Sequence, residues 1–241
     1  MCVELPQSTA GLPGVTLTVL SESAVAVTFG DTIDLETHRK VLALRDRLLE
    51  GPFPGMVSVV PAYASATVFF SPLTVRDNSR ETRGAPFSPA QVVCDFLNKL
   101  LKTNDLNDGI GSLQEPECVE IPVRYDGPDV KEVSERLNLP ASEVIRLHTG
   151  TVYTVFMIGF LPGFPYLGPL PAALELPRRD SPRLRVPAGS VAIAGRQTGI
   201  YPRESPGGWH LIGHTDFRLF DPGNCPPARL QAGMKVRFEE T

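Results

Sequence analysis

The chain has 241 residues, of which 42% are hydrophobic and 21% are charged, and its formal net charge is −4. This length and composition allow two domains with buried cores, and the mild negative charge argues against a nucleic acid or an anionic membrane as partner. Four scattered cysteines without a CxxC pair, and the lack of any apolar run of about 20 residues, predict a reduced cytoplasmic protein without a metal site.

The first half of the chain alternates between strand-like and helix-like patterns. Four strands are expected, at 15–20, 24–29, 56–60 and 66–70. The helix between the second and third strands should be capped by Asp31 or Thr32, with Ile33 on its buried face. Residues 72–87 are polar and should form an exposed excursion, after which Ser88 caps a second helix. The order β-β-α-β-β-α predicts a small α+β domain.

The second half of the chain is richer in β patterns, glycine and proline. Residues 102–116 are typical of a linker. A strand at 118–125 and two short helices follow, the second ending at Gly150. Further strands are expected at 152–158, 183–187, 189–195, 210–215, 217–221 and 234–240. Many short strands with Gly/Pro corners predict a closed or nearly closed barrel.

Common catalytic motifs are missing from the sequence. It has no GxxxxGK[ST] phosphate loop, no GxGxxG before a helix, no HExxH and no GxSxG. His210 and His214 are spaced i, i+4, but no third ligand is suggested nearby, so a metal site is not expected.

The most unusual segment is GFLPGFPYLG at 159–168. Two prolines argue against a core strand, and three aromatic rings argue against an ordinary surface loop. A stiff loop at the barrel rim would explain both features. Phe164 and Tyr166 are then expected to wall a pocket or a partner interface, whereas Phe160 is expected to pack onto the barrel core.

Residues 159–215, from GFLPGFPYLGPLP to GGWHLIGHT, resemble the signature of the carboxyltransferase-domain subunit 1 family. The resemblance extends, more weakly, to nearly the whole chain except about 72–87 and the first dozen residues. His214 is a departure, because the family usually has an arginine there. If that arginine holds an anionic group, binding is weakened or retuned in this chain.

The resemblance implies an α+β N-terminal ferredoxin-like domain followed by a mainly β cyclophilin-like barrel domain. The implied boundaries are a tail at 1–14, the first domain at 15–104, a linker at 105–117 and the barrel at 118–241.

The implied activity is that of the B subunit of a multi-subunit 5-oxoprolinase, which opens 5-oxoproline to L-glutamate with ATP hydrolysis. The implied partners are a homologous-fold subunit 2 (the C subunit) and a third subunit (the A subunit), and the chain should be inactive alone. ATP is used by the complex, at a site that the sequence does not locate. Other family members leave two alternatives open: a regulatory inhibitor of a histidine kinase, or a subunit of a urea- or allophanate-processing enzyme.

A carboxylate or phosphate ligand calls for arginine, and four arginines lie in a proline-framed run. Arg178 and Arg183 are the expected ligands because they match the family's PRR-x-x-PR segment, with surface pairing as the alternative. Trp209 is the single tryptophan of the chain and follows two glycines, and it is expected to be a platform for a ligand or partner. His148 and His210 are the expected catalytic proton carriers, with a structural role as the alternative for each.

Short polar groups on a glycine-rich stretch could hold the edge of a lactam ring. Ser190, Gln197 and Thr198 offer a paired donor and acceptor, and Tyr201 could close the rim. Turn chemistry is the alternative, because Gly195 and Gly199 bracket an expected hairpin.

Overall fold

The structure is a computed structural model that describes residues 7–9, 14–79, 88–102 and 118–241. The chain divides into two compact units, 1–114 and 115–241. The predicted linker at 105–117 and residues 80–87 of the predicted excursion lie outside the described residues.

A five-stranded antiparallel sheet in the order β1-β2-β3-β5-β4 forms the first unit together with its helices. The elements are β1 (Gln7–Thr9), β2 (Thr16–Ser21), β3 (Ala24–Thr28), α1 (Leu35–Glu50), β4 (Met56–Pro61), β5 (Ser65–Phe70), α2 (Pro72–Asn78) and α3 (Pro89–Lys102). Leu17 and Val68 of the sheet share one apolar core with Leu44 of α1 and Leu97 of α3. The amphipathic helices therefore form because their apolar faces cover this sheet.

The cap of α1 differs from the prediction. Asp34 is the capping residue, and its carboxylate accepts a hydrogen bond of 2.8 Å from the Thr37 N–H. The predicted caps were wrong because the Thr32 hydroxyl donates to the Asp34 carboxylate instead, at 3.1 Å. Ile33 precedes the helix and is exposed, so it is not on the buried face.

Two segments of the first unit are more ordered than predicted. The prediction of an exposed excursion was wrong for 72–78, which form α2 and bury Val75 in the core. Ser71 caps this helix by accepting a hydrogen bond from the Thr74 N–H. The predicted N-terminal tail contains β1, which pairs with β2.

The second unit holds a seven-stranded sheet in the order β13-β10-β11-β8-β7-β14-β6, and β9 pairs with β12 separately. The elements are β6 (Cys118–Val123), α4 (Val130–Leu137), α5 (Ala141–Thr149), β7 (Val152–Ile158), β8 (Pro165–Gly168), a 3-10 turn (Ala172–Leu174), β9 (Arg183–Val186), β10 (Ser190–Ala194), β11 (Gln197–Ile200), β12 (Ser205–Gly207), β13 (His210–His214) and β14 (Lys235–Glu240). The predicted hairpin is present as β10–β11 and turns after Ala194, but Gly199 lies within β11 and does not bracket the turn.

The two edges of the seven-stranded sheet are linked, so the sheet curls. The Arg124 N–H donates to the His214 carbonyl at 2.9 Å, and the His214 N–H donates to the Arg124 carbonyl at 2.8 Å. A Cβ on Gly213 would lie 2.6 Å from the Arg124 carbonyl oxygen, so a glycine permits this approach. The linked edges confirm the curled sheet, and a closed barrel remains a prediction.

The strand prediction for the second unit both included a segment that forms no strand and missed segments that do, β12 among them. Residues 217–221 form no strand, and only an isolated bridge joins Phe220 to Ala228. Conversely, the stretch 165–168 does form a strand, β8, despite its proline. Pro165 is the first residue of β8, a position at which a missing N–H is tolerated.

Candidate functional site

A cavity of about 230 Å³ in the second unit is lined mainly by aromatic residues, prolines and glycines. We call it the aromatic pocket. Its lining comprises Phe160, Phe164, Tyr166, Arg178, Pro182, Tyr201, Pro206, Gly207, Gly208 and Trp209. Five of the predicted ligand or interface residues are thus neighbours: Phe164, Tyr166, Arg178, Tyr201 and Trp209.

Buried Phe164 is the centre of the aromatic wall. Its ring centroid lies 4.9 Å from Tyr166, 5.2 Å from Tyr201 and 5.6 Å from Trp209. The contacts with Tyr201 and Trp209 are edge-to-face, the favourable geometry for aromatic rings. A Cβ on Gly199 would approach the Phe164 and Trp209 rings to 3.0 Å, so that glycine leaves room for them. The wall is therefore closely packed.

Phe160 contradicts the expectation that it packs onto the barrel core. Its side chain is 60% exposed at the pocket rim, and its ring makes edge-to-face contact with Phe164 at 5.5 Å. Its backbone φ is 64°, in the left-handed region that a bulky residue rarely adopts. Strain of this kind clusters at binding sites. Phe160 is therefore an exposed residue of the pocket rim.

Arg178 is the one charged residue among the lining residues of the pocket. It is exposed, and within the described parts of the chain it has no carboxylate partner. Burial raises the pKa of Tyr166 and Tyr201, and the positive charge of Arg178 opposes this only in part. Both phenol groups therefore stay protonated at neutral pH and can donate hydrogen bonds.

Arg183 does not reach the pocket, contrary to its predicted ligand role. Its guanidinium donates to both oxygens of Asp129, at 2.8 and 2.5 Å. Arg179 donates to Asp129 at 3.0 Å and to Glu132 at 2.7 Å. Burial acts to raise the pKa of Asp129, but the hydrogen bonds and charges of its partners hold that pKa below its usual range. We call Asp129, Glu132, Arg179 and Arg183 the Asp129 cluster.

Sequence reasoning missed Asp129. An aspartate directly before a helix is typical of an N-cap, but its side chain makes no capping hydrogen bond in α4. Its arginine partners lie 50 and 54 residues further along the chain, and no local pattern connects them.

His148 is buried in the second unit, and this geometry does not support its predicted catalytic role. Thr198 donates its hydroxyl proton to the Ala192 carbonyl at 3.1 Å, so it accepts from His148 Nε2–H at 2.9 Å. His148 Nδ1 then accepts from the Tyr125 hydroxyl at 2.6 Å. Burial lowers the pKa of His148 to about 3, so the ring is neutral at physiological pH. Both His148 and Thr198 are thus committed to the core, away from the pocket.

The remaining predicted residues also lie outside the aromatic pocket. His210 is buried, and its Nε2 contacts the Pro177 carbonyl at 3.0 Å. Ser190 is buried opposite His214 in the β10–β13 ladder, and Gln197 starts β11 next to the hairpin turn. His214 Nε2 lies 3.3 Å from an Asp216 oxygen. None of the four lines the pocket, so none of them would contact a ligand held there.

Residues 15–230 match the family model of the carboxyltransferase domain, subdomain C and D. The chain belongs to this family. It is 41% identical over 223 residues to the 5-oxoprolinase B subunit of Bacillus subtilis (strain 168), an alignment that covers 91% of this chain and 90% of the relative. It is 37% identical over 225 residues to the 5-oxoprolinase B subunit of Escherichia coli O157:H7, covering 91% and 93% of the two chains.

The crystal structure of TTHA0988 is similar in fold, with a TM-score of 0.70 and 38% identity. The alignment covers 90% of this chain but 40% of the TTHA0988 chain, so this chain spans about two fifths of that protein. These matches confirm the family resemblance stated from residues 159–215. None of the helices in the described ranges has the length and apolar character needed to cross a membrane.

Proposed function

We propose that this chain is the B subunit of a multi-subunit, ATP-dependent 5-oxoprolinase that opens 5-oxoproline to L-glutamate. The observation that carries the proposal is the 41% identity to the Bacillus subtilis B subunit over about nine tenths of both chains. The relatives are named as subunits, which supports an activity that needs other chains. We propose a homologous-fold C subunit and a third, the A subunit, as partners, and no activity for this chain alone.

The aromatic pocket supports 5-oxoproline as its ligand. This substrate is a small five-membered lactam with one carboxylate. A guanidinium fork such as that of Arg178 suits the carboxylate, and the aromatic lining, with Phe160 exposed at its rim, suits the apolar side of the lactam ring. Urea has neither a carboxylate nor an apolar ring, so the same pocket offers it little. The pocket chemistry therefore favours 5-oxoproline over urea.

The role of this chain in the reaction is to bind and orient the substrate. The arginine holds the carboxylate, the aromatic wall excludes water from one face of the ring, and the protonated hydroxyls of Tyr166 and Tyr201 are donors for the substrate's oxygens. Among the described residues that line the pocket there is no histidine, cysteine or carboxylate. The groups that activate water and the lactam carbonyl are therefore assigned to another subunit.

ATP does not fit the aromatic pocket. At about 230 Å³, the cavity is smaller than the roughly 300–1,000 Å³ of sites for larger ligands. It also offers one arginine, whereas a triphosphate calls for several positive groups or a metal ion. We therefore propose that ATP binds to another subunit.

The finer fold and the location of the protein belong to the same proposal. In the first unit, α1 connects the parallel strands β3 and β4 with β5 between them, a split βαβ arrangement that supports a ferredoxin-like domain. The curled sheet of the second unit supports a cyclophilin-like barrel. Three described cysteines, Cys94, Cys118 and Cys225, are free thiols, which supports a cytoplasmic location.

Reconstitution tests the proposed function directly. We expect glutamate release from 5-oxoproline and ATP when this chain is mixed with its two cognate partners, the A and C subunits, and none when any one of the three is omitted. Mixtures with each component left out in turn are the controls. Full activity without this chain would contradict the proposal, as would a silent complete mixture of folded subunits, and urea or allophanate turnover would then be measured.

Replacing Phe160 with glycine should separate stability from binding. Relief of the left-handed backbone strain offsets the small loss of packing, so we expect the free energy of unfolding to change by about 1 kcal/mol or less. The KM for 5-oxoproline should rise about tenfold because the rim of the pocket is lost.

Asn138→Gly is the matched control, because Asn138 is the other described non-glycine residue with a positive φ, at 53°, and it ends α4 and does not line the pocket. It should leave KM unchanged. An unchanged KM in Phe160→Gly would place Phe160 outside the binding surface. Urea unfolding and steady-state kinetics of the complete mixture provide the two measurements.

A further inference from the structure

The aromatic pocket depends on a carboxylate that does not line it. The Asp129 side chain is 3% exposed, and its two oxygens accept four hydrogen bonds. Oδ1 accepts from Arg179 at 3.0 Å and from Arg183 at 2.5 Å, and Oδ2 accepts from Arg183 at 2.8 Å and from the Leu211 N–H at 2.7 Å. With every acceptor position used inside the protein, Asp129 is fully committed to these partners.

Two of these partners are chain neighbours of pocket residues. Arg179 follows Arg178, and Arg183 follows Pro182, so Asp129 holds both ends of the segment that forms this side of the pocket. Arg178 itself has no carboxylate partner among the described residues. Its position is therefore determined by the segment on which it sits.

The segment that carries Trp209 is hydrogen-bonded to the same residue, Asp129. The Asp129 N–H donates to the Leu211 carbonyl at 3.0 Å, and the Leu211 N–H donates back to the carboxylate, close in sequence to Trp209. The Arg179 N–H also donates to the carbonyl of Gly208, a lining residue, at 2.8 Å. Asp129 and its partners thus fix the position of Arg178 relative to Trp209.

We infer that Asp129 is a positioning residue for the pocket, acting through Arg178 to set the guanidinium against the aromatic wall. Its contacts are directional and buried, and they join the arginine segment to the tryptophan loop. The inference deepens the proposed function and rests on it for the identity of the ligand.

Trp209 provides the assay, because it is the single tryptophan of the chain and lines the pocket. Titration of the full chain with 5-oxoproline, followed by tryptophan fluorescence, measures pocket affinity without the other subunits. We expect Asp129→Asn to weaken the affinity about tenfold, since a misplaced guanidinium loses its fork geometry toward the carboxylate. Glu143→Gln is the matched control, because it breaks another bidentate arginine pair, with Arg146, outside the pocket, and it should leave the affinity unchanged.

A double-mutant cycle separates positioning from a merely structural role. If Asp129 acts through Arg178, Asp129→Asn should cost less than about twofold in affinity in an Arg178→Met background. Equal losses in both backgrounds, or no loss in the single variant, would overturn the inference. If Asp129→Asn does not fold, Arg183→Lys replaces it in the cycle, since lysine keeps the charge and loses the bidentate contact.

A failure of the proposed function gives a different fluorescence result from a failure of the inference about Asp129. In that case the unmodified chain shows no Trp209 response to 5-oxoproline. The crystal structure of Asp129→Asn, or of Arg183→Lys, then decides the inference without a ligand. Displacement of Arg178 from the aromatic wall would support positioning, and an unmoved Arg178 would overturn it.

Discussion

Arg178→Met should raise the KM of the proposed 5-oxoprolinase complex for 5-oxoproline by about 10- to 100-fold, because a charge-assisted hydrogen-bonded contact to a carboxylate contributes about 1.5–3 kcal/mol. The substrate carboxylate takes no part in the ring opening and keeps its charge throughout. The arginine therefore stabilises the ground state and the transition state alike, and kcat should remain within about threefold of the original value. Steady-state kinetics of the mixture of all subunits, with 5-oxoproline varied and ATP saturating, measures both constants.

Arg185→Met is the matched control for this prediction. Arg185 belongs to the same proline-framed run, but it pairs with Glu204 at 3.0 Å, its side chain is 81% exposed, and it does not line the pocket. Its loss should leave KM unchanged. Arg178→Lys should give an intermediate KM, since an ammonium keeps the charge without the planar fork. A KM unchanged by Arg178→Met would show that the carboxylate is held elsewhere.

His148→Ala should lower the free energy of unfolding by about 3–5 kcal/mol at neutral pH, with the pocket only indirectly affected. The substitution leaves a cavity beside Phe238, on which the imidazole stacks at a centroid distance of 4.5 Å. It also removes the hydrogen-bond partner of the Tyr125 hydroxyl and of Thr198 Oγ1. Urea unfolding followed by circular dichroism measures the loss.

The same histidine predicts a pH dependence of stability. The unfolded chain binds a proton at His148 below about pH 6.5, whereas the folded chain resists protonation until its pKa of about 3. The unfolded state is therefore favoured as the pH falls below 6.5, and the contribution of His148 to stability is present above that pH. Between pH 6.5 and 5.0 the loss should be about 1.5 kcal/mol.

His148→Ala should lack this part of the pH slope, because no imidazole remains at that position. His214, which pairs with Asp216, supplies the histidine control for stability, and His214→Ala should keep the free energy of unfolding at neutral pH within about 0.5 kcal/mol. A slope in His148→Ala equal to that of the unmodified chain would contradict a neutral buried imidazole.

Patterns within a short window predicted much of the fold. The helical spacing of apolar residues in α1 and α3, and the alternation in β2 to β5, are local consequences of which face meets the core. Errors fell where several local choices were equally good, as at the cap of α1, where Asp31, Thr32 and Asp34 all carry capping side chains. The prediction also failed where contacts with the core stabilise a short helix, as at α2, which buries Val75.

The aromatic residues of the candidate site could also be predicted from a local sequence pattern. Phe164, Tyr166 and Trp209 stand among glycines and prolines, a combination that neither a core strand nor a solvent-exposed loop favours. Phe160 is the exception, because the sequence predicts that it packs onto the core, whereas its side chain lies exposed at the rim on a left-handed backbone.

By itself, the sequence determined the family, the two-part organisation with a curled sheet in the second part, and the aromatic character of the site, because each depends on residue types and spacings close together in the chain. Only the tertiary structure decided which charged and titratable groups are available for a ligand. Arg183 is held by Asp129, 54 residues away, whereas Arg178 is left facing the pocket. Likewise, His148 is neutral because distant strands enclose it. Electrostatic roles are set by neighbours in space, which the chain brings together only when it folds.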